Sequence, residues 1–480
     1  MKNSDKINSD SKTNTEGRRK AIKKIALGGA GMSLFPHITL GKSQEEFKLV
    51  IKNGKVYTND SLKQIYVGIT TDNKIKLSEK AITAAKEIDA TGKIVSPGFV
   101  DILADNAANP QSTYQIFEKY KLADGLTTVL QMHGGAAYPG KFYQEFGAKP
   151  HYVNYGVGVF VMVIRYQTQS LPMRYKLVEQ GLAEGGLGVC HSLEYQPTPY
   201  AEVKEYAKLA KKYERPLFLH LRYSSQDKEL EGVKEAIQLA QETGARVHID
   251  HLHSTGGTFN MEKALELIQN ANNFGTEVTT CVYPYSYWAT YLVSKRFDPG
   301  WQQRFGLTYK DLTIVGTGEK LTESTFNVYR HRAGVLVAVP EGTMPMDKTI
   351  DLALQTDFCM IASDGGIESE PKANNHPRGA GCFATAIRHG MDIGMSLEKV
   401  LSKITTLPSK LMRGAMDTRG SIDDGKIADI TIFDPKTINA KASVANPNQF
   451  SDGIDHVIIN GEVVFQDKKI IASRGKGIKY

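Results

Sequence analysis

Short apolar, β-rich segments recur through this chain at intervals of roughly 30 residues, the length of one strand–helix unit. They are Val95–Asp105, Thr127–His133, Val153–Val161, Gly186–Tyr195, Leu217–Arg222, Val247–His253 and Glu277–Tyr285, with an eighth, Phe358–Gly365, arriving late. Helical patterns lie between several of them. Tyr200–Tyr213 sets Val203, Tyr206, Ala207 and Ala210 on one face. Leu230–Thr243 and Met261–Phe274 keep the same spacing, the latter behind Asn260 as an expected N-cap. Such alternation predicts parallel strands joined by crossover helices, and eight units predict a closed (β/α)8 barrel.

The ends of the chain have a different texture. Residues 47–94 contain "LVIKNGKVYT", "YVGITTDNKI" and "KEIDATGKIV", and residues 420–470 contain "GKIADITIFDP" and "HVIINGEVVF". These short strands with turn signals predict one small β-sandwich formed from both termini. The expected fold class is therefore α/β, a TIM-like barrel with a small β-sandwich domain. The sandwich is assigned to residues 46–96 and 416–480, and the barrel to 97–415. Residues 286–345 break the strand rhythm and read as an insertion at the barrel mouth, either a lid or a packed subdomain.

The first 45 residues read as an export segment. Arg18 and Arg19, followed by Lys20, Lys23 and Lys24, precede a weakly apolar, Gly-rich run from Ile25 to Leu40. This resembles a twin-arginine signal, with export to a periplasm as the expectation; the alternative is a disordered basic tail. Residues 1–42 carry +6 of the formal charge of +7, which leaves about +1 on the rest. The body thus gives no electrostatic reason to bind nucleic acid or an anionic membrane. No apolar run reaches the length of about 18 residues that a membrane span requires. The four cysteines, Cys190, Cys281, Cys359 and Cys382, form no CxxC pair, which excludes a zinc-finger-type site.

In a (β/α)8 barrel the chemistry sits at the C-terminal ends of the strands. The second predicted strand ends at His133, the fifth at His220, the sixth at His251-Leu252-His253, the seventh at Tyr283 and the eighth at Asp364. A single strand histidine is more often a core residue satisfied by its neighbours. Four at the ends of three strands, with a carboxylate, read as a metal site. Imidazole nitrogens with a carboxylate suit Zn²⁺ best, with other divalent metals as alternatives. Zinc lowers the pKa of a coordinated water to about 7, and Asp364 then serves as its proton acceptor and donor. The other reading of Asp364, in "IASDGG", is a turn or capping aspartate.

The strings "IVSPGFVD", "DGLTTV", "GGLGVCHSLEYQPTPYAE", "FLHLR", "IDHLHSTGG", "VYPYSY", "IASDGG", "NNHPRGAG" and "RGSIDDGKIADITIFDP", in this order and spacing, resemble the amidohydrolase superfamily. Within it they look closest to the N-acyl-D-amino-acid deacylases. The resemblance covers about residues 47–470. It implies that His220 and His251 are zinc ligands, that Asp364 is catalytic, and that Arg378 and Tyr283 contact a substrate carboxylate. A guanidinium fork suits that task, since it binds a carboxylate through two parallel hydrogen bonds; the alternative for Arg378 is a structural salt bridge.

The chain departs from the family pattern in four places, one of them the lack in "HPRGAG" of the aromatic common after "HPR". The family's His-x-His at the end of strand 1 is Leu103 and Asp105 here, which removes one imidazole and leaves Asp105 as an oxygen ligand at most. Its cysteine ligand after strand 2 is replaced by "QMHGG", with Gly134 at the cysteine position and His133 beside it. His133 is expected to serve as the third ligand, giving one Zn²⁺ per chain held by His133, His220 and His251; the alternative is a weak two-ligand site. His253 stands where the family usually has lysine and is read as substrate-binding. Cys190 and His191 are read as packing or supporting residues. The expected activity is hydrolysis of an amide bond in an N-acyl-D-amino acid or related small substrate bearing a carboxylate. The alternatives are a cyclic amide, lactone or ester hydrolase, and a catalytically inactive ligand-binding barrel.

Overall fold

The structure, a computed structural model, describes residues 47–104, 110–340, 342–367 and 375–480. The N-terminal segment expected to direct export, with Arg18 and Arg19, and Asp105 lie outside the described residues.

Eight parallel strands form one sheet in sequence order. They are β1 (Phe99–Asp101), β2 (Leu126–Ala136), β3 (Asn154–Phe160), β4 (Val189–Ser192), β5 (Leu217–His220), β6 (Val247–Ile249), β7 (Val278–Val282) and β8 (Cys359–Ile361). Each adjacent pair from β1 to β8 is in parallel register, for example Val189 with Leu217 and Leu217 with Val247. The strands are near-continuous runs of apolar and β-branched residues, as expected where both faces are covered. The sheet is a nearly closed barrel, with helices between its strands. Five matter below: α1 (Pro110–Ala123), α2 (Tyr200–Lys212), α3 (Glu229–Thr243), α4 (Met261–Asn273) and α5 (Arg378–Asp392).

Two local expectations change. The segment 95–105 is not one strand. Ile94–Pro97 pairs antiparallel with Ile430–Phe433 in a different sheet, and only Phe99–Asp101 joins the barrel. Pro97 has no N–H with which to extend a ladder, and the chain crosses between sheets where Gly98 N donates to Asp429 O at 2.9 Å. Asn260 does occupy the N-cap of α4, but its side chain makes no capping bond. Its amide instead donates to Glu229 Oε1, 2.8 Å away at the start of α3. A tertiary partner outcompetes the local one.

The barrel interior is filled by Val100, Leu130, Met132, Cys190, Phe218, Cys281 and Met360, and Leu411, Met412 and Ile478 join the same cluster. Phe218 is fully buried, and truncating it to alanine would cost about 3–5 kcal/mol. All four cysteines are free and buried. Burial drives every thiol pKa upward, that of Cys359 to about 12.

The chain ends meet in a seven-stranded sheet that carries Lys55–Thr58 and Ile94–Pro97 beside Ile430–Phe433, Ile454–Ile459 and Glu462–Gln466. A four-stranded sheet including Phe47–Lys52 and Tyr66–Thr70 shares a core with it, formed by Leu49, Ile51, Val67, Ile69, Ile430 and Ile458. This is the sandwich built from both termini. The 286–345 region holds a three-stranded sheet of Ala289–Tyr291, Thr313–Ile314 and Leu336–Ala338. It has its own apolar cluster around Phe297, Trp301, Leu312 and Phe326, which favours the packed-subdomain reading.

Candidate functional site

His133 comes from β2, His220 ends β5, and His251 follows β6 in a turn. β2 runs on past His133 to Ala136 through an irregular register against β3. Gly135, at φ 108, supplies the backbone conformation that this requires. His251 itself has φ 29 and Asp364 has φ 45. Side chains rarely adopt such dihedrals, and they persist where the surrounding structure over-determines them, as at ligand sites.

One donor atom from each of the three histidines lies within 4.8 Å of the others. Each ring is also held by a supporting group. Nδ1 of His133 lies 3.1 Å from Asp250 Oδ2, Nε2 of His220 is 2.9 Å from Glu194 Oε2, and Nδ1 of His251 is 2.9 Å from Ser254 Oγ. The opposite nitrogens converge. Nδ1 of His220 lies 3.1 Å from Nε2 of His251. Nitrogens bonded to one tetrahedral zinc at about 2.0–2.1 Å are separated by roughly 3.3 Å, so the spacing fits a shared ion. Burial lowers the pKa of both His220 and His251, which favours the neutral imidazole that binds metal. The residues present therefore fit a single three-histidine zinc site.

Asp364, just beyond β8, faces this cluster. Its Oδ1 is 4.0 Å from His133 Nε2 and its Oδ2 is 3.9 Å from His251 Nε2. Arg378, at the start of α5, donates Nη2 to Asp364 Oδ2 at 2.8 Å. Its guanidinium lies 4.3 Å over the ring of Tyr283. Burial alone would raise the Asp364 pKa, but the charges of Arg378 and the three imidazoles outweigh it and hold the carboxyl below its ordinary range. His253 is fully buried and stacks edge-on against Tyr283 at 4.1 Å. Neither of its ring nitrogens has a hydrogen-bond partner among the described residues. Burial, followed by the Arg378 charge, pushes its pKa down to about 3. The structure thus brings together all seven residues picked from the sequence: His133, His220, His251, Asp364, Arg378, Tyr283 and His253.

Sequence reasoning missed the supporting ring. Glu194 accepts from Ser224 Oγ at 2.6 Å and from Arg296 of the 286–345 region at 3.3 Å, as well as holding His220. Burial pushes its pKa up, but His220 and Arg296 reverse the shift and leave it at about 2. Asp250 is driven up to about 6 by burial, against the hydrogen bond of His133. The available signal was position alone: Glu194 sits just past β4, and Asp250 immediately precedes His251. Cys190 packs in the barrel core, and His191 Nε2 pairs with Thr198 Oγ1 at 2.7 Å, so both are supporting residues.

The chain is 26% identical over 479 residues to an N-acyl-D-glutamate deacylase of Alcaligenes xylosoxydans xylosoxydans, covering 88% of this chain and 94% of that protein. It is 23% identical over 482 residues to a D-aminoacylase of the same organism, covering 88% and 96% respectively. The crystal structure of an N-acyl-D-glutamate deacylase from Bordetella bronchiseptica, complexed with zinc and a phosphonate inhibitor, superimposes with a TM-score of 0.77 at 22% identity. That match covers 91% of this chain and all of the other, and supports the fold. The profile of the amidohydrolase family spans residues 94–464, from the crossing strand before the barrel to the last long strand of the sandwich, and the chain belongs to the amidohydrolase family.

Proposed function

We propose that this protein is a zinc-dependent deacylase that hydrolyses the amide bond of N-acyl-D-amino acids. The observation that carries the reading is the convergence of three imidazole donors on Asp364, 3.9–4.0 Å from two of them, with Arg378 alongside. The similarity over 88% of the chain to two deacylases of N-acyl-D-amino acids, and the zinc held by the Bordetella relative, support the substrate class and the metal.

His133, His220 and His251 would hold one zinc ion, through the nitrogens opposite their supporting bonds. When bound, zinc polarises the amide carbonyl and lowers the pKa of the attacking water. Asp364 Oδ1 is the proton acceptor, because Oδ2 is engaged by Arg378. It returns that proton to the departing amine, as one group does in both steps of acid–base catalysis. The Arg378 guanidinium receives the substrate carboxylate, against the ring of Tyr283. His253 lines the same wall and contacts the substrate beyond the carboxylate. The twin-arginine pattern supports export to a periplasm.

The test is elemental analysis of the purified protein together with a screen of N-acyl-D- and N-acyl-L-amino acids. About one zinc per chain and turnover confined to D-substrates are expected. A protein that takes up no stoichiometric metal from zinc-supplemented medium and hydrolyses none of the panel would overturn the reading in favour of a non-catalytic barrel.

A further inference from the structure

Directly behind Asp364 the fold buries a cation that faces neither the metal ligands nor solvent. Among the described residues no backbone ladder joins β8 to β1, and side chains close the seam instead. Asp101, the last residue of β1, accepts from Ser363 N at 3.0 Å on Oδ1 and from Ser363 Oγ on Oδ2. Lys121, in the last turn of α1, donates to Asp101 Oδ2 at 2.9 Å and to Ser363 Oγ at 2.7 Å. Ser363 Oγ in turn accepts from Gly365 N at 3.1 Å. The N–H groups of the two residues that flank Asp364 are therefore gripped by one charge-neutral cluster, while Asp364 itself sits at a positive φ that needs such support.

The same helix end reaches the partner of Asp364. A Cβ on Gly365 would lie 2.8 Å from Gly379 N, so the turn that carries Asp364 packs directly on the start of α5, beside Arg378. α5 is broken at Gly381, which has φ −138. The N–H groups of Phe383 and Ala384 that follow the break donate to Asp124 at 2.8 and 3.1 Å. Lys121 and Asp124 thus anchor the two segments that carry Asp364 and Arg378.

Lys121 and Asp101 are 1% and 0% exposed. A buried ion pair is weak evidence of stability, because desolvation offsets most of the attraction; fixed geometry is its better-attested contribution. We propose that Lys121, paired with Asp101, is a positioning residue that holds the carboxylate of Asp364 in its working place opposite the three histidines. The inference rests on the proton-carrying role of Asp364 in the hydrolysis proposed above.

Lys121→Met alone strands a buried carboxylate, so the deciding protein is Asp101→Leu/Lys121→Met, which removes both charges together. It is compared with wild type by zinc content, by kcat and KM on the best N-acyl-D-amino acid, and by crystallography. The expected result is one zinc per chain, KM within about threefold, kcat lower on the order of 100-fold, and the Asp364 carboxylate displaced by about 1 Å. Ser363→Ala, which removes only the hydroxyl that links Lys121 to Gly365, is the second variant should the double one fail to fold; it lowers kcat by about tenfold at unchanged KM. Wild-type kcat in whichever variant folds overturns the proposal, and so does loss of zinc in step with activity. If wild type itself hydrolyses none of the substrates, the assigned activity fails, and the crystallographic position of Asp364 decides the positioning claim by itself: an undisplaced carboxylate ends it.

Discussion

Glu194 Oε2 lies 2.9 Å from Nε2 of His220, on the side of the ring away from Nδ1, which faces His251. The contact fixes which nitrogen of His220 carries the proton and orients the lone pair of the other. Carboxylates in this position typically contribute 10–100-fold to metal affinity. Glu194→Ala is therefore expected to weaken zinc binding by about that factor while leaving the fold intact, since Glu194 is 24% exposed and belongs to no core cluster. Competition against a chelator checks it. Wild-type affinity in the variant would show that His220 is oriented by its backbone alone.

Asp364 is assigned the proton transfer and no bond to the metal. Asp364→Asn keeps the shape of the side chain and its place beside Arg378 but cannot accept the proton. Turnover should fall by about 10²–10⁴-fold with zinc content unchanged. Turnover within a few-fold of wild type would remove Asp364 from the mechanism.

Removing His133 tests the ligand count. His133→Ala leaves two imidazoles, too few for a tight zinc site, and is expected to lose the ion on dialysis against wild-type protein as the control. Full zinc retention would place the third ligand elsewhere.

His248 lies on β6, away from the site, fully buried with Nδ1 2.9 Å from Thr279 Oγ1. Burial lowers its pKa from 6.5 to about 3. A group whose pKa falls on folding contributes stability above its unfolded value, and that contribution is lost as pH falls toward the folded value. Stability should therefore decline from about pH 6.5 toward pH 3 as the unfolded chain takes up a proton that the folded one refuses. His248→Asn removes this term and should flatten the slope by up to about 1.4 kcal/mol per pH unit in that window. Urea unfolding at a series of pH values from 7 to 4 reads the difference. Parallel slopes would show that His248 is already protonated in the folded protein.

If the proposed export holds, Arg18→Lys/Arg19→Lys should leave the protein in the cytoplasmic fraction when the wild type is recovered from the periplasm. Equal export of both would exclude the twin-arginine route.

The fold was legible because its signal is repeated. Eight apolar segments separated by helical spacing admit few architectures, and the histidines at their ends fall on the catalytic face by phase alone. The break at Pro97 was hidden because Val95 and Phe99 carry the same local pattern although they belong to different sheets. Asn260 misled in a similar way, since nothing local shows that Glu229 would claim its side chain. The three histidines were readable because each lies in the C-terminal part of a barrel strand or just beyond it. Glu194, Asp250, Lys121 and Asp101 were not, because a supporting role is defined by a partner that lies 20 to 117 residues away in the chain.

The burial of all four thiols leaves the surface chemically silent to maleimides and other thiol-directed probes. A cysteine introduced at Phe274, which is 90% exposed at the C-terminal end of α4, would then be the single reactive handle on the folded protein. The wild-type sequence thereby serves as its own cysteine-free background for fluorescent or spin labelling.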